Sequence, residues 1–326
     1  PSMYRLLQND YEQIFTRIAR NSVLHIAGDY EAPGYWKNRT AVGDKMFSTL
    51  VDDLNEAHAD VSGFMLIKID LPDVYEGAPT IVSAFFAIVP KIAIFSLILK
   101  LFIYSLYDFL GAWQQLFLLV SFMSMLVGAF GALEQRKIKR LLAYSSIGHV
   151  GYMLIGLATG SLEGVQGLLI YIAVYMVMSL NIWTVVLSLD FREKEGRAQY
   201  LTDLTSLSKI NPLLAITITL TMFSMSGLPP LAGFCAKFYV FFSAMESSLY
   251  ILAIVGVLTS CVGSFYYMRV IKVIFFEKVS RWNAFYSMDR EKSILLGGTT
   301  LFILFFFLYP SPLILLTHKM ALSLCL

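Results

Sequence analysis

The sequence predicts an all-α polytopic membrane protein, and three observations carry that prediction. Hydrophobic residues make up 57% of the 326 and charged residues only 15%, with a mean hydropathy of +0.66; a water-soluble domain of this composition would leave too much apolar surface wet. From Thr80 onward apolar runs follow one another, each about the twenty residues needed to cross roughly 30 Å of hydrocarbon. Lys and Arg gather in every second connection between those runs.

Residues 1–78 differ in kind: they are mixed and charged, with no run long enough to span. Residues 11–27 and 41–59 read as amphipathic helices, the second with Val42, Met46, Leu50 and Leu54 recurring on one face. Asp29 to Gly34 is a loop, and Val61 to Ile69 has the β-branched and aromatic content of a strand. The expectation is a small, solvated α+β extension. Asp10 and Glu12 near its start suit neither a signal peptide nor a typical transit peptide.

The expected spans are 80–104, 112–134, 141–159, 164–190, 212–246, 249–275 and 293–316, about seven transmembrane helices in all. The fifth is broken. It carries Ser226-Gly227-Leu228-Pro229-Pro230 in its middle, and two prolines cannot continue a helix, because each lacks the amide donor and crowds the preceding turn. Broken backbone at membrane depth is tolerated only where protein or a wet cavity satisfies the freed polar groups, so the break marks a pathway. Arg136, Lys137, Lys139 and Arg140 lie in one connection, Arg192, Lys194, Arg197 and Lys209 in the next of the same parity, and Lys272, Lys278, Arg281, Arg290 and Lys292 in the third. The alternate connections, Tyr107–Gly111, Thr159–Gly164 and Met245–Ser248, hold no Lys or Arg. By the positive-inside rule the basic set faces the cytoplasm or its equivalent, the mitochondrial matrix. Seven crossings then put the N-terminal extension on that side and the C-terminus opposite.

Three ionisable side chains fall well inside these spans: Lys91, directly after Pro90; His149, on a polar face with Ser145 and Ser146 close to Tyr144; and Lys237, in the second half of the broken helix. An ammonium near the bilayer centre costs roughly 2.5 to 3.5 kcal/mol on insertion scales, so such residues usually face an interior path for ions or protons. Pro90 frees a carbonyl one turn earlier that is available to an ammonium or a water. The bland alternative for Lys237 is a lysine snorkelling from a helix end, which the apolar residues on both sides of it disfavour. For His149 it is a neutral ring hydrogen-bonded between helices. No Asp or Glu partner lies inside the spans, since Asp108, Glu134, Glu163, Asp190 and Glu246 all sit near span ends.

Several function classes are excluded by type of residue. A net charge of +2 gives no reason to expect nucleic acid. Cys235, Cys261 and Cys325 stand alone, without the paired spacing of a zinc or iron-sulfur site, so free thiols and no metal are expected. There is no phosphate-binding glycine loop and no Ser/His/Asp set at plausible depth. Aromatic runs such as Phe305-Phe306-Phe307 read as lipid-facing or interhelical surface.

Pro72-Asp73-Val74-Tyr75-Glu76-Gly77-Ala78-Pro79-Thr80, the stretch from Ile138 through Tyr144-Ser145-Ser146-Ile147-Gly148-His149 to Tyr152, and Gly227-Leu228-Pro229-Pro230-Leu231-Ala232-Gly233-Phe234 resemble the antiporter-like membrane subunits of respiratory complex I, the proton-translocating NADH:ubiquinone oxidoreductase. The closing stretch, Phe307 to Pro312 and Thr317 to Leu324, makes the resemblance a mitochondrial one. It covers residues 72–326. It implies two inverted five-helix repeats, each with a broken helix bearing a lysine or glutamate, joined by a central lysine. Lys91 matches the central lysine, Lys237 the one on the second broken helix, and Tyr144 to His149 a polar segment beside the path, with Pro90, Gly227, Pro229 and Pro230 in support. It also implies the mitochondrial inner membrane, lipid around the spans, other membrane-arm subunits as partners, and no cofactor in this chain. FMN, iron-sulfur clusters and ubiquinone would belong to other subunits.

The sequence departs from that family ahead of Asp73, where members usually carry further helices with a first broken helix and a glutamate. Lys68 is too close to Pro72, in too polar a setting, to be the missing lysine. Residues 11–76, with Ala32-Pro33-Gly34-Tyr35-Trp36 and Lys68 to Glu76, instead resemble a fragment of a prohibitin/stomatin-type (SPFH) domain. The expected organisation is therefore an extension over 1–78 and a membrane domain over 79–326, the last helix of a first repeat plus a whole second repeat and a C-terminal helix, with a separate chain supplying the rest. The rival expectations are a stand-alone cation/proton antiporter and a membrane scaffold without proton transfer.

Overall fold

A computed structural model of the chain describes residues 72–191, 197–205, 207–277, 285–286 and 288–325. The chain divides into two compact units, Pro1–Asp70 and Leu71–Leu326. The helices, loop and strand expected ahead of residue 71, and the SPFH-like fragment up to that point, lie outside the described residues.

The second unit opens with a helical stretch over 72–77 and continues as α1 (Thr80–Leu99), prolonged by π-helical Lys100–Ser105. There follow α2 (Leu110–Leu133), α3 (Ile138–Ala158), α4 (Leu162–Ser188), α5 (Pro212–Ser226), α6 (Ala232–Glu246), α7 (Tyr250–Phe275), α8 (Arg290–Phe305) and α9 (Ser311–Cys325). Helix starts obey local chemistry. Ser161 caps α4 by accepting from the Gly164 N–H at 3.1 Å, with Glu163 in the first turn. Asn211 caps α5 by accepting from Leu214 N–H at 3.2 Å, and Pro212 takes the first helical position, where its missing donor costs nothing. Pro90 leaves α1 unbroken.

Among the described residues, five stretches are long and apolar enough to cross a membrane: Thr80–Ser105, Trp113–Leu133, Ile138–Ala158, Leu162–Ser188 and Tyr250–Phe275. The expected broken span is present as α5 and α6, each 15 residues. The final expected span, 293–316, is not one helix. It divides into α8 and α9 around Tyr309-Pro310, because Pro310 has no N–H to donate and its ring displaces the turn before it; the apolar residues on both sides concealed the break in the sequence.

The membrane helices are built around α4, which packs against α1, α3, α5, α6, α8 and α9. α3 and α4 are the inner helices: 83% of the most apolar stretch of α3 is buried, against 22% for α1, which is therefore peripheral. α2 and α3 approach closely because Gly128 faces the backbone of Gly148, the small-residue contact that lets membrane helices pack. At the end where the basic connections lie, Lys137 pairs with Glu76, Arg140 stands 3.6 Å from Asp73 and 3.8 Å from Glu76, and Lys139 Nζ donates to Ala78 O at 2.9 Å. The Asp73 to Glu76 motif is thereby clasped to the start of α3. The hydrogen bond to Glu76 raises the pKa of Lys137.

Candidate functional site

The break in α5/α6 is a set of satisfied valences. Gly227 ends α5 in the left-handed conformation, φ +88°; its N–H donates to Ser224 O at 3.0 Å and Leu228 N–H donates to Phe223 O at 3.1 Å, the paired closure of a glycine-capped helix. Pro229 and Pro230, joined by a cis bond, carry the chain across the gap. On the far side Gly233 N–H donates to Ser224 Oγ at 3.0 Å. The carbonyl of Ser226, left without a helical donor, accepts from Lys237 Nζ at 2.9 Å. Lys237 also donates to Ser260 Oγ on α7 at 2.8 Å, and its ammonium lies 4.9 Å from the centre of the Tyr152 ring. Lys237 is 6% exposed, so it is an interior lysine and not a snorkelling one.

His149 lies deep in α3, 2% exposed, bridging two helices. Its Nδ1 is 2.8 Å from Tyr171 Oη on α4 and its Nε2 3.1 Å from Tyr267 Oη on α7. Tyr267 Oη is in turn 2.5 Å from Ser145 Oγ. Lys91, partly exposed on α1, donates to Tyr175 Oη at 2.8 Å and lies 5.0 Å from that ring's centre. The Tyr175 and His149 rings are 5.2 Å apart, and those of His149 and Tyr152 6.2 Å. Lys91, Tyr175, His149, Tyr152 and Lys237 thus form a continuous series of contacts across the interior, drawn from α1, α4, α3 and α6. Beside its Lys237 end is a cavity of about 10 Å³ lined by Ser145, His149, Tyr152, Lys237, Thr259 and Tyr267, among others, close to the space one water needs.

Of the residues expected from sequence, Lys91, His149 and Lys237 meet in this series, Ser145 stands beside it on the Tyr267 hydroxyl, and Gly227, Pro229 and Pro230 shape its broken end. Others stand apart. Ser146 Oγ donates to Ala143 O within its own helix at 2.7 Å. Tyr144 turns its ring toward Gly131 on α2. The hydrogen bond that Lys91 makes is to the Tyr175 hydroxyl, and not to a carbonyl freed by Pro90. Sequence reasoning missed Tyr152, Tyr171, Tyr175, Tyr267 and Ser260. The spacing of Tyr171 and Tyr175, four apart on α4, was a signal for two hydroxyls on one face.

Among the described residues every ion pair lies toward the helix ends or in connections, as in Arg197 with Asp190 at 2.6 Å and Lys292 with Asp289 at 2.8 Å. Among the described residues, the hydrogen-bond partners of Lys91 and Lys237 are neutral oxygens. Among the described residues no three His, Cys, Asp or Glu side chains gather as metal ligands. The arrangement gathers two amines and an imidazole in one interior cluster, with a tyrosine or serine hydroxyl hydrogen-bonded to each of them.

Residues 62–263 match the model of a family described as NADH:quinone oxidoreductase/Mrp antiporter, TM. The chain is 56% identical over 255 residues to NADH-ubiquinone oxidoreductase chain 2 of Marchantia polymorpha, covering 78% of this chain and 51% of that protein. It is 52% identical over 255 residues to the Arabidopsis thaliana protein of the same name, covering 78% and 50%. Its fold resembles a chain of respiratory complex I from Thermus thermophilus, with TM-score 0.65, 26% identity and coverage of 93% of this chain and 66% of that one. The chain spans about half the length of the curated relatives it matches.

Proposed function

The chain belongs to the NADH:quinone oxidoreductase/Mrp antiporter membrane family, and from that premise we propose that it is a proton-translocating subunit in the membrane arm of a respiratory NADH:ubiquinone oxidoreductase. The observation that carries the reading is the pairing of two intramembrane lysines through Tyr175, His149 and Tyr152, with no carboxylate on either ammonium among the described residues. Lys237 is suited to both protonation states. An ammonium has three N–H donors, and two are used, on Ser226 O and Ser260 Oγ. A neutral amine keeps two donors for the same acceptors and turns its lone pair to the third position. The proton at that position is the one that leaves or returns, without rearrangement of the site. Lys91, His149 and Lys237 are the relay groups in this reading, and the charge on one lysine biases the other. Redox chemistry, with FMN, iron-sulfur clusters and ubiquinone, is assigned to other subunits.

The proposed setting is the inner mitochondrial membrane, with the clasped, basic end in the matrix and the C-terminus in the intermembrane space, among other membrane-arm subunits and lipid. A separate polypeptide is proposed to supply the half of the relatives' length not matched here, packed over α1. In favour of that partner, Lys91 is partly exposed on the peripheral helix, and an ammonium facing hydrocarbon is costly. The test is to extract the native assembly in mild detergent and identify its polypeptides by mass spectrometry. Complex I subunits with a second chain bearing a broken helix and a lysine support the whole reading. Complex I subunits without such a chain favour a scaffold role. Neither result, with cation/proton exchange by the isolated chain in vesicles, favours a stand-alone antiporter.

A further inference from the structure

Arg269 stands six residues before Phe275, the last residue of α7, about 9 Å of helix from the basic end. A side chain that long, at that depth, can snorkel to water. It turns to a neighbouring helix instead. Nη1 donates to Leu133 O and Nη2 to Gln135 O, each at 2.5 Å, so the guanidinium fork takes the last carbonyl of α2 and one from the turn that leads into α3. A helix end exposes carbonyls without donors and carries partial negative charge, which favours a cation there. The Nε–H is buried and has no partner among the described residues, a cost that a snorkelling arginine would avoid. The two Nη bonds are therefore what the residue is placed to make.

Their consequence lies two residues earlier. Tyr267, 2% exposed, sets its hydroxyl 3.1 Å from His149 Nε2 and 2.5 Å from Ser145 Oγ. Ser145 and His149 belong to α3, which starts at Ile138, three residues beyond Gln135. α7 is thus tied to α3 at two heights, by Arg269 at the turn before it and by Tyr267 about 10 to 16 Å along it. A fork with fixed N–H directions leaves α7 little freedom to slide or turn against α3. The contacts such a slide would disturb differ in tolerance. Ser260 meets Lys237 Nζ at 2.8 Å, and the lysine's flexible stem can follow it. The imidazole and the phenol are rigid rings, and from 3.1 Å a further separation of about 0.5 Å ends their hydrogen bond.

We infer that Arg269 is a positioning residue for His149: its fork on the turn between α2 and α3 fixes the register of α7 against α3, and so keeps the Tyr267 hydroxyl on the imidazole. The inference rests on the relay reading above, in which His149 handles a proton. Arg269 handles none, since a guanidinium stays charged.

The test uses the native complex in closed membrane vesicles, measuring protons moved per NADH oxidised, with assembly and melting temperature read for each variant. The variants are Arg269→Met, Arg269→Lys, Tyr267→Phe, the double variant Arg269→Met with Tyr267→Phe, and Lys237→Met. Arg269→Met and Tyr267→Phe are each expected to lose at least half of what Lys237→Met loses. The double variant is expected to lose no more than the larger single, because both singles break the same contact. Arg269→Lys keeps the charge and gives up the fork, so it is expected to lose as much, and it takes the place of Met in the comparison if Met does not assemble. A smaller or absent loss in either assembled Arg269 variant, even with a lowered melting temperature, makes the residue structural and overturns the inference. So do failure of both to assemble, a normal ratio in Tyr267→Phe, or losses that multiply in the double variant. An unchanged ratio in Lys237→Met overturns the relay reading and this inference with it. A loss in Lys237→Met alone overturns only the inference.

Discussion

Lys237 lies across the α carbon of Gly227. A methyl group on Gly227 would stand 3.0 Å from Lys237 Cδ and 3.3 Å from its Nζ, at a residue whose φ is +88°. The glycine that ends α5 is also the surface on which the lysine rests, so the break and the ammonium position are one feature. Gly227→Ala is expected to cost about 1 to 2 kcal/mol through the left-handed backbone alone, and to displace the amine from Ser226 O. The measurement is complex yield together with proton transfer in the fraction that assembles; normal transfer in that fraction would show the lysine tolerates the displacement.

Lys237→Met keeps most of the side chain's volume and removes its donors. The Ser226 carbonyl is not abandoned, because Ser260 Oγ lies 3.4 Å from it and can donate. The variant is therefore expected to assemble and to let NADH reduce an artificial acceptor at the normal rate, while coupled proton transfer falls. Full pumping by the assembled variant would remove Lys237 from the relay.

His149 separates a structural from a proton-carrying role by the choice of replacement. His149→Phe strands the Tyr171 hydroxyl, 2.8 Å from Nδ1, at about 1 to 3 kcal/mol for a group left unpaired, while the Tyr267 hydroxyl loses its 3.1 Å contact with Nε2 and keeps Ser145 Oγ at 2.5 Å. His149→Gln retains a donor and an acceptor but cannot titrate. Relay predicts that Gln assembles and pumps slowly; a bridge that only joins helices predicts that Gln pumps like the parent. Both enzymes would be compared for assembled complex by native gel before their rates are read.

The fold was legible because spanning lipid forces long apolar runs and charge bias between them. The break was legible because Gly227, Pro229 and Pro230 admit few backbones. Pro310 was read through, since Phe305 to Leu308 on one side and Leu313 to Leu316 on the other carried the apolar signal across it. The lysines stood out by their cost in hydrocarbon. Their connectors did not, because a tyrosine in an apolar span is inexpensive, and only the rotation of each helix against its neighbours decides whether its hydroxyl meets lipid or a relay. Tyr144 and His149 illustrate this within one motif: one ring turns to Gly131 and the other to Tyr171 and Tyr267.

The close approach of α2 and α3 sets where His149 stands, and one substitution tests it. A β carbon on Gly128 would come 2.6 Å from Gly148 Cα, backbone that cannot rotate away, immediately before the histidine. Gly128→Ala must separate the helices, and overpacking of this kind costs typically about 1 to 3 kcal/mol. Separation also lengthens the His149 bridge to Tyr267, since α7 packs on α2 as well. Gly297 in α8 is the control, because a β carbon there meets nothing within 4 Å. Gly297→Ala is expected to leave the melting temperature of the solubilised complex unchanged or slightly raised, with Gly128→Ala lowering it and slowing proton transfer. Equal behaviour of the two variants would mean that the glycine contact does not fix the histidine, and that α4 and α7 hold the ring by themselves.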